Sequence, residues 1–384
     1  MTTIETAEAK RTSLLTPLLS PLAEKAGIII NGPNPWDPQV RNPRAFRRTI
    51  LHGTLGLGEA YMDGDWYAKD LEGFFVLALS EGLDDAFSDM STLWFKLISR
   101  ITNRQRRGRE EEVATHYNAG NDLFEGMLDR TMTYTCAYYS SPNKPNSLYA
   151  AQIDKLELIC TKLGLKGGER ILDIGCGWGG FARYAAERHG ARVVGITIAD
   201  KQLEYAREHN QCEGVEFRKQ DYRDVREEFD HVVSVEMIEA VGPKNLRTYF
   251  EVVKRCLKPR GLFLLQAIVG DRSSMHTDPW LDKYIFPNGV LPSRAQIDAA
   301  VEGLLVEEDA HNFGADYALT LRAWHKNLTE AWPKLSRKYG DRFYRMMEYY
   351  LLSCAAGFTI RRHQDVQFVY SNGGVLGGYE RVTI

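Results

Sequence analysis

Little in this sequence points to export, disulfide bonding or a membrane span. Its 384 residues include six cysteines. None forms a Cys-x-x-Cys pair and none has a histidine at metal-ligand spacing, so no metal is expected and a reducing compartment suits the chain. The opening Met1-Thr2-Thr3-Ile4-Glu5 has neither a basic n-region nor an apolar h-region, and no export signal is expected. The longest apolar runs, residues 74–79 and 262–265, fall far short of the ~20 residues that span a bilayer. A net charge of −3 offers nucleic acid no general attraction. Repeats and low-complexity tracts are absent. What is present, 44% apolar and 26% charged residues, is ordinary for a globular protein with one large domain and a smaller one. The chain is expected to be cytoplasmic, at most resting on a membrane surface.

The chain is organised around Glu169-Arg170-Ile171-Leu172-Asp173-Ile174-Gly175-Cys176-Gly177-Trp178-Gly179-Gly180. A short apolar run of the kind that forms a buried parallel strand breaks into glycines at alternate positions, then continues as a helix from Phe181. Strand, glycine turn and helix form the first unit of a nucleotide-binding α/β sheet. The glycines let the backbone turn tightly and approach a ligand. Their spacing, G-x-G-x-G, is closer than the fingerprint that seats a pyrophosphate. Asp173 just before the turn suits a ligand without phosphate but with an ammonium and a sulfonium, S-adenosylmethionine.

From residue 169 strands (192–198, 215–220, 229–235, 261–268, 367–370) alternate with helices (201–209, 246–257, 316–335, 342–354), which predicts a doubly wound, Rossmann-like α/β sheet. Ahead of it, helical spacing is read over 14–26 and 71–79, with a compact irregular segment over 53–66. The organisation expected is a small, mainly helical N-terminal domain at 1–99, a basic linker at 100–115 (Arg104, Arg106, Arg107, Arg109) and a catalytic domain at 116–384. Arg41, Arg44, Arg47 and Arg48 lie within eight residues. They read either as a solvated face or as a site for anionic headgroups.

The second strand ends without the usual carboxylate for a ribose, so Thr197 and Gln202 are expected to supply those hydrogen bonds, with Asp200 capping the next helix. Gln220-Asp221-Tyr222 follows the third strand, where an adenine pocket forms. It reads equally well as a polar turn.

At this point the chain resembles the cyclopropane-fatty-acyl-phospholipid synthases over nearly its whole length. The resemblance rests on Leu55-Gly56-Leu57-Gly58-Glu59, His116-Tyr117-Asn118-Ala119-Gly120-Asn121, Tyr134-Thr135-Cys136-Ala137-Tyr138, residues 173–180, Val241-Gly242-Pro243-Lys244-Asn245, and residues 283–289 and 312–317. It implies transfer of a methylene carbon from S-adenosylmethionine to the cis double bond of a phospholipid acyl chain. It also implies a bilayer partner, peripheral association with the inner membrane face, and a homodimer. The N-terminal domain would grip the headgroup. The cofactor residues it implies are Tyr134, Thr135, Asp173, Gly175, Cys176, Gly177, Thr197, Gln202, Gln220, Asp221 and Tyr222. A bicarbonate ion serving as base would be held by Cys136, Glu239, Gln266, the Ile268 backbone and Tyr317, with Cys354 as a pocket residue. Gln266 departs from the family, whose best-known members have histidine, and Ala240 stands where many have another. Glutamine keeps a hydrogen bond but cannot relay a proton. Those two departures leave open a related methyltransferase making a methylene- or methyl-branched chain. A silent lipid-binding module is the reading from another class.

Overall fold

A computed structural model of the chain describes residues 16–84, 120–140 and 147–382. The expected linker at 100–115 and His116 to Ala119 lie outside the described residues. The chain divides into two compact units: 1–102 with 276–287 and 321–362, and 103–275 with 288–320 and 363–384. The first unit is therefore discontinuous, where the sequence suggested one block ending at 99. It recruits two later segments because their aromatic rings complete its core.

That helical unit contains Thr16–Lys25, Arg44–Met62, Leu71–Ser80, Pro279–Tyr284 and Asp341–Thr359. It also has a two-residue antiparallel ladder of β1 (Gln39–Val40) and β2 (Trp66–Tyr67). Its core packs Trp280 tilted against Tyr349 at 4.5 Å and Phe75 edge-to-face against Tyr349 at 4.9 Å between ring centroids. The segment expected to be irregular is helical through Met62, kinked at Gly53 (φ 56°). Its glycines serve packing: a Cβ on Gly58 would overlap the Trp280 indole. Helix propensity alone misreads such glycines. Arg44 pairs with Asp65 at 2.7 Å, Arg48 with Asp63 at 2.6 Å and Glu59 at 3.1 Å, and Arg41 lies over the Tyr67 ring at 4.3 Å, so three of the four clustered arginines are engaged within the unit.

The second unit is built on seven strands in the order β5-β4-β3-β6-β7-β9-β8. They are β3 (Arg170–Ile174), β4 (Arg192–Thr197), β5 (Val215–Lys219), β6 (Phe229–Val235), β7 (Leu257–Gly270), β8 (Val306–Asn312) and β9 (His363–Ser371). β3 to β7 run parallel, while β9 is antiparallel to β7 and to β8. Ile171, Leu172, Val232, Val233, Phe263 and Leu264 are essentially inaccessible to solvent, as a sheet covered on both faces requires. β8 escaped the sequence reading because Val306-Glu307-Glu308-Asp309 has the acidic, half-exposed pattern of an edge strand. β3, β4 and β5 step to one side and β6 and β7 to the other. The carboxyl ends of β3 and β6 thus flank the switch point where such sheets bind ligands.

Candidate active site

The turn after β3 has the backbone its glycines allow: φ is +82° at Gly175, +55° at Gly177 and +89° at Gly179. The amides of Gly175 and Cys176 both donate to the Ile196 carbonyl at 3.0 Å, which pins the turn against β4. A Cβ on Gly175 would come within 2.7 Å of Met237, so the turn and the residues after β6 form two walls of one cavity. All eleven residues named for the cofactor, from Tyr134 to Tyr222, line that cavity. Trp178, Lys155, Glu236 and Met237 line it as well, and none of these was singled out from the sequence.

Around this cavity the details differ from expectation in two places. The helix Asp200–His209 is capped by Ala199, and Asp200 instead pairs with Lys219 at 2.5 Å. Asp221 accepts from the Arg223 amide at 2.9 Å and from its Nε at 2.8 Å, so an adenine amine would share this carboxylate with a guanidinium. Thr197 and Gln202 do meet, at 3.4 Å. Asp173 is buried, its Oδ2 has no hydrogen-bond partner, and burial pushes its carboxyl up to about 7. A buried acid of this kind beside a glycine turn fits a cationic ligand, so the wall suits S-adenosylmethionine.

A second cluster adjoins the cavity at the ends of β6, β7 and β9, centred on Glu236. Its Oε1 accepts from the Cys136 amide at 2.7 Å and from Gln266 Nε2 at 3.0 Å, and its Oε2 accepts from the Tyr317 hydroxyl at 2.5 Å. Gln266 also donates to Asp365 Oδ2 at 2.8 Å and accepts from Gln367 at 3.1 Å. The Glu239 Oε1 accepts from the Ile268 amide at 2.7 Å. The five residues expected around an anion are thus brought together, but the four donors among them are satisfied by two carboxyl groups of the chain, Glu236 and Glu239 itself. Cys136 contributes its amide rather than its sulfur, which donates to the Ala137 carbonyl at 3.3 Å. Burial holds that thiol far above its ordinary range, so it carries no thiolate. Gln266 donates two hydrogen bonds, one more than the sequence reading credited to it.

The charges in the cluster are shifted by desolvation. Burial first, then the Glu236 charge, lifts Glu239 up to about 8. Burial and the Glu236 and Glu239 charges lift Asp365 well above the carboxylate range. Burial raises Glu236 too, opposed by Tyr317, the Cys136 amide, Lys155 and Gln266. Glu236 is therefore the acid whose ionised form the surroundings best support. Cys354 belongs to the other unit, on the helix Asp341–Thr359, with its thiol raised to about 12 by desolvation. It does not line the cofactor cavity. Among the described residues no group of three His, Cys, Asp or Glu is arranged to hold a metal, and no helix is long and apolar enough to cross a membrane.

The chain is similar to known proteins. The family model described as mycolic acid cyclopropane synthetase matches residues 104–368. The chain is 47% identical over 356 residues to a cyclopropane-fatty-acyl-phospholipid synthase of Escherichia coli (strain K12), covering 92% of both. It is 36% identical to the tuberculostearic acid methyltransferase UfaA1 of Mycobacterium tuberculosis, over 83% of this chain and 79% of that protein. The crystal structure of mycolic acid cyclopropane synthase CmaA1 complexed with SAH and CTAB superposes with a TM-score of 0.64 at 26% identity, covering 70% of this chain and all of that one. With the family model matched over 104–368 and a relative 47% identical over 92% of its length, the chain belongs to the mycolic acid cyclopropane synthetase family.

Proposed function

We propose that this protein transfers a methylene carbon from S-adenosylmethionine to the cis double bond of unsaturated acyl chains in membrane phospholipids, forming a cyclopropane ring. The observation that carries the reading is one cavity whose wall joins the glycine turn and Asp173 to the carboxyl of Glu236. S-Adenosylmethionine, when bound by the residues from Tyr134 to Tyr222, supplies a sulfonium-activated methyl group for the alkene. An isolated alkene is a poor nucleophile, so alignment and exclusion of water must provide much of the rate. Tyr134 and Trp178 offer aromatic faces to the carbocation that methyl addition leaves. A base must then take a proton from the added carbon.

The resemblance gives that task to bicarbonate on Cys136, Glu239, Gln266, Ile268 and Tyr317. The residues of this chain do not fit the ion. The Cys136 amide, Gln266 and Tyr317 already donate to Glu236, and the Ile268 amide donates to Glu239. A further anion would enter among three buried acids, Glu236, Glu239 and Asp365.

Peripheral association with the inner membrane face, a homodimer and headgroup binding by residues 1–99 complete the proposal. Exposed Arg41 and Arg47, with Ile50 and Leu51 at 38% and 50% exposure, support a surface that meets both headgroups and acyl chains. Vesicles of cis-monounsaturated phospholipid are expected to elicit S-adenosylhomocysteine and a lipid heavier by one CH2 that takes up no hydrogen over a mild catalyst. Vesicles of saturated phospholipid are expected to elicit neither. Turnover without unsaturation would contradict the proposal. A product that takes up hydrogen would assign the methylene-branched chain instead.

A further inference from the structure

Position 236 is a member of the polar cluster that the resemblance leaves without a role, and it lines the cofactor cavity. Glu236 follows β6 directly, with φ +50°, a backbone conformation that side chains other than glycine rarely adopt. That backbone aims the carboxyl into the donors described above. We propose that the Glu236 carboxylate is itself the proton acceptor of ring closure, standing where an exogenous bicarbonate would sit, so that turnover needs no dissolved carbonate.

Three observations carry this. First, Glu236 occupies the seat: an amide, a glutamine N–H and a phenol all donate to its two oxygens, at 2.7, 3.0 and 2.5 Å. Second, Glu236 lines the cavity together with Asp173 and Gly175, whereas Cys136, Glu239, Gln266, Ile268 and Tyr317 are not part of its lining. Three of the five residues expected around an ion, Cys136, Gln266 and Tyr317, are thus positioning residues for the Glu236 carboxylate. Third, the charge balance suits one anion. Lys155, buried and bonded to Thr135 Oγ1 at 2.9 Å, acts on Glu236 with an opposite charge. A second anion beside the Glu236 carboxylate would be repelled by that charge and would find its donors already engaged.

The step balances without an oxidant or reductant. A C–H bond of the added carbon breaks, and its electron pair closes the last C–C bond of the ring at the cationic carbon. The proton passes to a Glu236 oxygen and leaves to water after the product departs. The inference rests on the proposed function only in needing proton loss from the added carbon, which a methylene branch would need too.

The test compares turnover of the full chain in buffer stripped of carbon dioxide with turnover after bicarbonate is added. The two rates are expected to agree within about twofold, the scatter expected when no general base is supplied or removed. Glu236→Gln is expected to bind S-adenosylhomocysteine normally and lose about 10²–10⁴-fold in turnover. Glu236→Gly suits the φ value and empties the seat, so its lost turnover is expected to return in part with bicarbonate. Wild-type turnover that collapses without carbonate and returns with it would overturn the proposal, as would full activity in Glu236→Gln. The wild-type comparison decides even if neither variant folds. Absence of S-adenosylhomocysteine in both buffers would instead sink the proposed function.

Discussion

Lys155→Met is expected to destabilise the sheet unit by about 3–5 kcal/mol at neutral pH, the usual cost of removing one partner from a buried charge cluster. Lys155 sits in the helix Leu148–Leu163 at 1% exposure. Its ammonium donates to Thr135 and opposes the charges of Glu236, Asp129 and Asp365. Methionine fills a similar volume, so the loss is of charge rather than of packing. The melting temperature is expected to fall by on the order of 10 °C at pH 8. The fall should shrink at pH 5, where the facing acids take up protons and need no counter-charge. Equal losses at both pH values would show that Lys155 acts by packing and would remove the electrostatic argument for a single anion at Glu236.

Asp173→Asn is expected to have the opposite sign. Burial raises the Asp173 carboxyl from 3.8 to about 7, so folding favours its protonated form. Its contribution to stability is therefore fully present below the unfolded value near 4 and is lost as pH rises through about 7. The penalty at pH 8 is on the order of a few kcal/mol. Asparagine carries no such penalty. The variant is expected to match the wild type near pH 4 and to melt higher at pH 8. It should also bind S-adenosylmethionine about tenfold or more weakly, having lost a charge-assisted contact. Stability here is given up for a charged binding site. A variant that gains no stability on raising pH would mean that Asp173 is not the strained acid described.

Much of the fold was legible because parallel strands buried on both faces write themselves as apolar runs. β3 and β6 read correctly from Ile171-Leu172 and from Val232-Val233. β8 did not, since an edge strand has no apolar face to display. The helix Arg44–Met62 was hidden by its glycines, of which Gly58 makes room for Trp280, a residue more than two hundred positions away. The cofactor wall could be gathered residue by residue because it follows strand ends in order. Glu236 was missed for a different reason. The site residues that the resemblance implies include Glu239 and not position 236, so it directed attention past Glu236. A signal was available: an acid directly after a central parallel strand stands at the ligand end of the sheet. Lys155 and Asp365 gave less warning, because a lysine on a helix and an aspartate between glutamine and valine ordinarily face water. Only the closed sheet shows that both are buried against the same carboxylate.

The central claim is that one hydrogen of the transferred methyl is removed beside Glu236 as a ring closes. Turnover with S-adenosylmethionine carrying a trideuterated methyl group, on vesicles of cis-monounsaturated phospholipid, tests it most directly. The account predicts a lipid product that retains two deuterium atoms on the added carbon, releases the third to water, and resists hydrogenation. A product retaining all three would contradict it.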